Sequence, residues 1–194
     1  MIMRKIFVLV PITILLCQAL IGQQAHKLNW YSETKLCASP GIGNFKGIDD
    51  IPRENSESTY SLSILNGVAI EKFILTLEFG VGKWKSDLLF PLSISPKFVM
   101  KDNVNSPFLY GTIGLLLGTR EKNYFLDEES GRILINLGIG YQFQLFQKNF
   151  SAGIGFENVT MKAKTIRSID PNSPYTENYF VNYHFIKFCF GIVI

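Results

Sequence analysis

The sequence is short of almost everything catalysis is built from. Its 194 residues include two histidines, His26 and His184, and three cysteines, Cys17, Cys37 and Cys189. So few cysteines exclude a disulfide framework. No cofactor or metal site is expected, and no catalytic residue is assigned. Charge of one sign is missing as well. The chain has 19 Lys and Arg against 16 Asp and Glu, and setting aside Arg4 and Lys5 leaves 17 against 16. A net of +1 excludes the basic surface that nucleic acid requires. Beyond the N-terminus no apolar run is long enough for a transmembrane helix. The closely spaced glycines of "GIGNFKG" (41–47) lack the strand before and helix after that a nucleotide loop needs, so they read as a plain loop. "NVT" at Asn158 sits at a strand end and reads as a chance match to a glycosylation triplet.

The N-terminus, "MIMRKIFVLVPITILLCQALIGQQ", has Arg4 and Lys5, then an apolar stretch to about Leu20, then small and polar residues. That is the layout of a secretory signal peptide. The expected organisation is a signal peptide over 1–22 and one domain over 23–194. A retained membrane anchor is the rival reading, weakened by Pro11 and the shortness of the run. Leu16 before Cys17 makes a poor lipidation site.

The rest alternates apolar and polar at period two, the mark of half-buried strands. Eight segments are expected: 28–37 (weak), 60–70, 73–83, 88–100, 108–118, two within 135–157, and 180–194. Asn66 breaks the apolar face of the second. Pro91 and Pro96 each remove a ladder donor, so the fourth should be bent or locally unpaired. Short connections at 71–72, 101–107 and 147–149 put tight turns and both termini at one end. Longer polar stretches, 38–59, 119–132 and 162–179, lie at the other.

Parity alone does not say which face is inside. Three features put the apolar face outside. The polar parity is rich in glycine (Gly80, Gly82, Gly138, Gly140, Gly153, Gly155), which weakens a water-facing strand but suits a narrow interior. The strands have bilayer-crossing length. The loop asymmetry is that of outer-membrane barrels. The predicted fold is therefore all-β, a closed antiparallel eight-stranded transmembrane β-barrel. Its lipid-facing set includes Phe73, Leu75, Leu77, Phe79, Ile135, Leu137, Ile139, Ile154, Phe156, Phe188, Phe190 and Ile192. A secreted, lipocalin-like carrier of a small apolar ligand, with the parity reversed, is the alternative.

The segments "FGVG", "GIGYQF" and "SAGIGFE", with the apolar C-terminal strand, resemble the small eight-stranded outer-membrane barrels of the OmpA/OmpX-like superfamily. "LLFPLSISPKFVMKDNVNSPFLYGTIGLLLG" resembles the Bacteroidota-type outer-membrane β-barrel domain. The resemblance implies an outer-membrane location with periplasmic termini. It also implies contact with outer-membrane lipid and recognition of the C-terminal strand by the barrel-insertion machinery. The chain departs from the family's usual aromatic end, finishing on Ile194 with Phe188 and Phe190 inboard.

The expected function is a structural or surface-interaction role, with a filled interior that is not a general porin. An extracellular ligand is expected at loops 38–59 and 162–179. The remaining alternative is an outer-membrane lipid-modifying enzyme using His184, but no Ser or acid is recognisably placed beside it. His184 reads instead as part of an interfacial band with Tyr179, Phe180 and Tyr183. Trp30 and Trp84 read as girdle residues. Glu78, Lys97, Glu157 and Lys187 occupy the polar parity at mid-strand. They are expected to form an interior plug of two ion pairs, Glu78–Lys97 and Glu157–Lys187, helped by Gln142, Gln144 and Asn136. Cys37 and Cys189 lie on strands that become neighbours on closure, but at heights that differ, so free thiols are expected.

Overall fold

A computed structural model describes residues 28–46, 52–84, 87–101, 105–118, 128–167 and 175–194. The expected signal peptide over 1–22 lies outside the described residues. Ten strands are found among them: β1 (Leu28–Ile42), β2 (Asn44–Lys46), β3 (Pro52–Glu54), β4 (Ser58–Ile70), β5 (Phe73–Trp84), β6 (Asp87–Val99), β7 (Ser106–Gly118), β8 (Glu128–Leu145), β9 (Lys148–Arg167) and β10 (Tyr175–Val193). Eight of them close an antiparallel barrel in the order β1-β10-β9-β8-β7-β6-β5-β4, while β2 and β3 form a small separate hairpin.

Strand lengths depart from expectation at the loop end. The segment 38–59 is not one loop, because β1 runs on to Ile42 and the β2–β3 hairpin fills much of the rest. Nor is 162–179, since β9 and β10 keep pairing out to Arg167 and Tyr175. Beyond the apolar belt a ribbon no longer needs one greasy face, so pairing continues with no period-two signal to announce it. At the other end the chain turns tightly. Phe146 and Gln147 both take left-handed φ (49° and 61°), as a two-residue hairpin that follows the right-handed strand twist requires.

The prolines of β6 interrupt its pairing as expected. The register with β5 lapses between Leu92 and Leu89, across Pro91, and the register with β7 lapses between Ile94 and Lys97, across Pro96. Each proline thus faces a different neighbour with its missing donor.

The register fixes the barrel's shape. Starting at Ser32 and stepping across partners leads through Asn66, Leu77, Ile94, Ile113, Ile135, Asn158 and His184, and returns to β1 at Ile42. The return point lies 42 − 32 = 10 residues further along β1. Eight strands with that stagger tilt by about 40°. Rows across the sheet therefore climb steadily toward the loop end, and this climb decides which interior side chains meet.

The apolar parity faces outward around the barrel. All twelve residues of the expected outward set are exposed, from Ile192 at 42% to Leu137 at 71%. Two polar residues on this parity, Ser32 and Asn66, are cross-strand neighbours, and the Ser32 hydroxyl donates to Asn66 Oδ1 at 2.8 Å.

Candidate functional site

The buried charged side chains gather in the interior. Alternation aims every second residue of each strand inward. At the turn end, Lys97 Nζ donates to Glu33 Oε2 at 3.2 Å and to Tyr31 Oη at 2.8 Å. The Tyr31 hydroxyl donates to the same carboxylate at 2.6 Å, and Ser151 donates to its other oxygen. The Lys97 ammonium also lies 4.2 Å from the centre of the Phe108 ring, a favourable cation–π position. One layer higher, Lys35 Nζ and Glu78 Oε2 pair at 3.2 Å, and the Ser95 hydroxyl donates to Glu78 at 3.2 Å. Higher again, Lys187 and Glu157 pair at 2.5 Å. All six charged residues are buried. Three carboxylates and three ammoniums leave the interior neutral.

The structure brings Glu157 and Lys187 together but not Glu78 and Lys97. Lys97 is opposite Ile74, four positions toward the turn from Glu78, whose own partner is Ser93. The climbing rows bring β1 in beside them instead. Glu33 takes Lys97, and Lys35 takes Glu78. These two β1 residues were missed because "LNWYSETKLC" has a weak apolar face. Its other parity, Tyr31, Glu33, Lys35 and Cys37, carried the signal. Asn136 is buried inside, Gln142 is half-buried near the turn end, and Gln144 is exposed beyond the interior rather than in it.

Glycine on the inner parity makes room for large neighbours. A Cβ on Gly140 would run into the Phe108 ring, and one on Gly138 into the Tyr110 ring. The interior is filled by a few big side chains laid over glycine backbone, not by uniform medium-sized ones.

The loop-end half of the interior is largely apolar, contrary to the expected polar lining, with one further ion pair there, Arg132 Nη2 to Asp87 Oδ2 at 2.6 Å, beside Trp84. Trp84, Leu134, Val159, Met161, Tyr183 and Phe185 pack together there. Trp84 is accordingly no girdle residue. Its ring packs edge-on to Tyr183 and Phe185 with centroids at 4.8 and 5.6 Å, and its indole N–H donates to Glu57 at 2.5 Å. Tyr183 likewise leaves the expected outer band and turns inward, because it shares parity with Lys187 and not with His184. Trp30 is outward and exposed. Phe45 of the β2 strand stacks on Tyr183 at 4.7 Å, and the Asn55 amide donates to the His184 carbonyl at 2.7 Å. The β2–β3 hairpin is thus fastened to the loop-end rim of the barrel.

Among the described residues, two of the spaces between these side chains measure about 30 Å³ each. One lies by Tyr31, Lys97, Phe108 and Cys189, the other between the Glu157–Lys187 pair and Leu134. Each has room for about two water molecules.

The cysteines overturn the expectation of free thiols. Cys37 and Cys189 are direct partners across the β1–β10 seam, both on the inner parity, and form a disulfide with Cα atoms 4.2 Å apart. Judging height from distance to the chain end ignored the ten-residue stagger. That stagger sets Cys37 opposite Cys189 even though β1 ascends and β10 descends.

No protein-family model matches this sequence, and no curated protein is similar enough to it to count as a relative. The fold does have solved counterparts. The chain is similar to the outer membrane protein OprG from Pseudomonas aeruginosa, with a TM-score of 0.53 and 8% identity over 85% of this chain and 95% of that one. It is also similar to Neisserial surface protein A, with a TM-score of 0.50 and 10% identity over 85% and 97%. At such low identity the likeness shows the barrel fold and nothing of the interior. The filled barrel described above stands on this chain's own residues.

Proposed function

We propose that this chain is a small outer-membrane barrel with a structural or surface-interaction role, whose filled interior makes it no general porin. The observation that supports this best is the combination of an apolar outer belt with a core of paired charges. A soluble carrier needs the opposite arrangement and a ligand cavity far larger than about 30 Å³. Three ion pairs below and an aromatic layer above would block solutes of any size. The reading places the chain with Bacteroidota-type, OmpA/OmpX-like barrels and puts its termini in the periplasm. It takes the C-terminal strand as the part engaged by the insertion machinery, and it gives the chain no catalytic role. Surface contacts would fall to the β2–β3 hairpin and the β9–β10 ribbon.

The test is reconstitution into lipid vesicles. Heat-modifiable gel migration reports the folded barrel, and swelling in sugars reports passage. Folded protein in vesicles that stay tight is expected. Folded protein with rapid swelling would end the filled-interior reading. Replacing Leu77 by Arg should lower barrel stability by about 2–4 kcal/mol, the cost of a cation near the bilayer midplane. Equilibrium unfolding in vesicles measures this, and an unchanged midpoint would put Leu77 outside the lipid. On intact cells, added protease should cut at the loop end and spare 101–107; cleavage at 101–107 would reverse the orientation.

A further inference from the structure

On β9 and β10 the outward parity turns polar toward the loop end. Four cross-strand rungs of β9 and β10 run, from the belt toward the loop end, Phe156 with Ile186, Asn158 with His184, Thr160 with Asn182, and Lys162 with Phe180. In the same rows the neighbouring strand β8 shows Ile135 opposite Asn158 and Ile133 opposite Thr160, both about half exposed. The polar patch is therefore set against the top of the apolar belt.

Its hydrogen bonds set the state of the imidazole. The Thr160 hydroxyl lies 3.0 Å from Asn158 Oδ1 and 2.7 Å from Asn182 Oδ1. The Asn158 amide donates to His184 Nδ1 at 2.9 Å, and the His184 ring stacks on Phe156 at 5.6 Å. With Nδ1 accepting, the imidazole carries its proton on Nε2. The imidazole acceptor is thus taken by Asn158, and the single Thr160 proton serves one of the two amide oxygens. The donors left for an incoming group are His184 Nε2–H, the Asn182 amide N–H groups and the Lys162 ammonium. Lys162 is exposed and has no carboxylate partner among the described residues.

We propose that this patch binds the phosphate of a lipid headgroup, with the acyl chains lying on Phe156, Ile186, Ile135 and Ile133. A cation beside an imidazole N–H and amide N–H groups fits an anionic, acceptor-only group. Its place at the upper edge of the belt assigns that group to a lipid and not to phosphate in solution. The inference rests on the membrane-barrel reading above.

The experiment is native mass spectrometry of the detergent-folded protein with dioleoylphosphatidylglycerol, with dioleoylglycerol as the phosphate-free control and inorganic phosphate as competitor. The wild-type protein should retain one phosphatidylglycerol with at least tenfold preference over the diacylglycerol, and millimolar phosphate should not displace it. Lys162→Gln combined with Asn182→Ala should reduce retention about tenfold. Ser32→Ala, at the other outward polar spot, should leave it unchanged. Equal retention by the double variant, equal retention of the diacylglycerol, or displacement by inorganic phosphate would each overturn the proposal. Lys162→Gln alone, at an exposed position, serves if the double variant does not fold. Heat-modifiable migration of the same samples separates the two readings. A barrel that migrates as folded but does not discriminate lipids rejects this site alone, whereas protein soluble without detergent rejects the membrane reading itself.

Discussion

Replacing Cys37 and Cys189 by serine should cost the barrel as much stability as stranding one charge of a buried ion pair. The bond joins the first and last strands of the barrel across 152 residues of sequence. Closing a loop of that length in the unfolded chain is worth about 5 kcal/mol in the chain-entropy account, and measured effects usually fall below it. The expected result is a drop of about 3–5 kcal/mol in urea unfolding of the double Cys→Ser protein in vesicles. The same fall should follow when wild-type protein is unfolded with reductant present. A second consequence follows from burial. Cys37 is 2% exposed, Cys189 is half-buried, and both lie on the inner parity, so the folded barrel should resist reductant that readily attacks the unfolded chain. A thiol-reactive polymer tag added after native incubation with reductant reads this directly. Labelling of the folded protein at the unfolded rate would show that the bond is not enclosed.

The ion pair at the turn end should show a loss of that size. Lys97→Met leaves Glu33 buried with only the Tyr31 and Ser151 hydroxyls as donors. Breaking a buried pair on one side typically costs about 3–5 kcal/mol, because the stranded charge cannot be resolvated. Lys97→Met together with Glu33→Gln should recover most of that loss, since removing both charges removes the desolvation cost as well. The decisive measurement is a pair of double-mutant cycles. Lys97 with Glu33 should couple by about 1–3 kcal/mol, while Lys97 with Glu78 should couple by less than about 0.5. The reverse ranking would return the pairing to the arrangement read from strand spacing. Strong coupling in neither cycle would mean that the charges are separately hydrated.

Much of this was open to reading in the sequence. Alternation of Phe73, Leu75, Leu77 and Phe79 against Thr76, Glu78 and Gly80 fixed both the strand and its two faces, because the side-chain period of a strand is a local property of the backbone. The glycine-rich inner parity identified the narrow interior, and the prolines of β6 marked the two breaks in its ladder. The pairing of Glu157 with Lys187 was readable because β9 and β10 are joined in sequence, so distances from the strand ends give their relative heights.

What sequence alone did not determine was everything that depends on closure. Glu33 and Lys35 enter the charge network, and Cys37 meets Cys189, only because β1 meets both β4 and β10 at a ten-residue stagger. That stagger is a sum of register choices around eight strands. No local window contains it, and an error of two residues at a seam would re-pair the interior charges that meet across it while leaving each strand's alternation intact. The inward turn of Trp84 and Tyr183 has the same origin. A large aromatic at a strand end reads equally well as girdle or as core until the parity of its neighbours across the barrel is known. The amino-acid pattern determined which side chains point inward and which outward; the tertiary structure decided which of the inward ones touch.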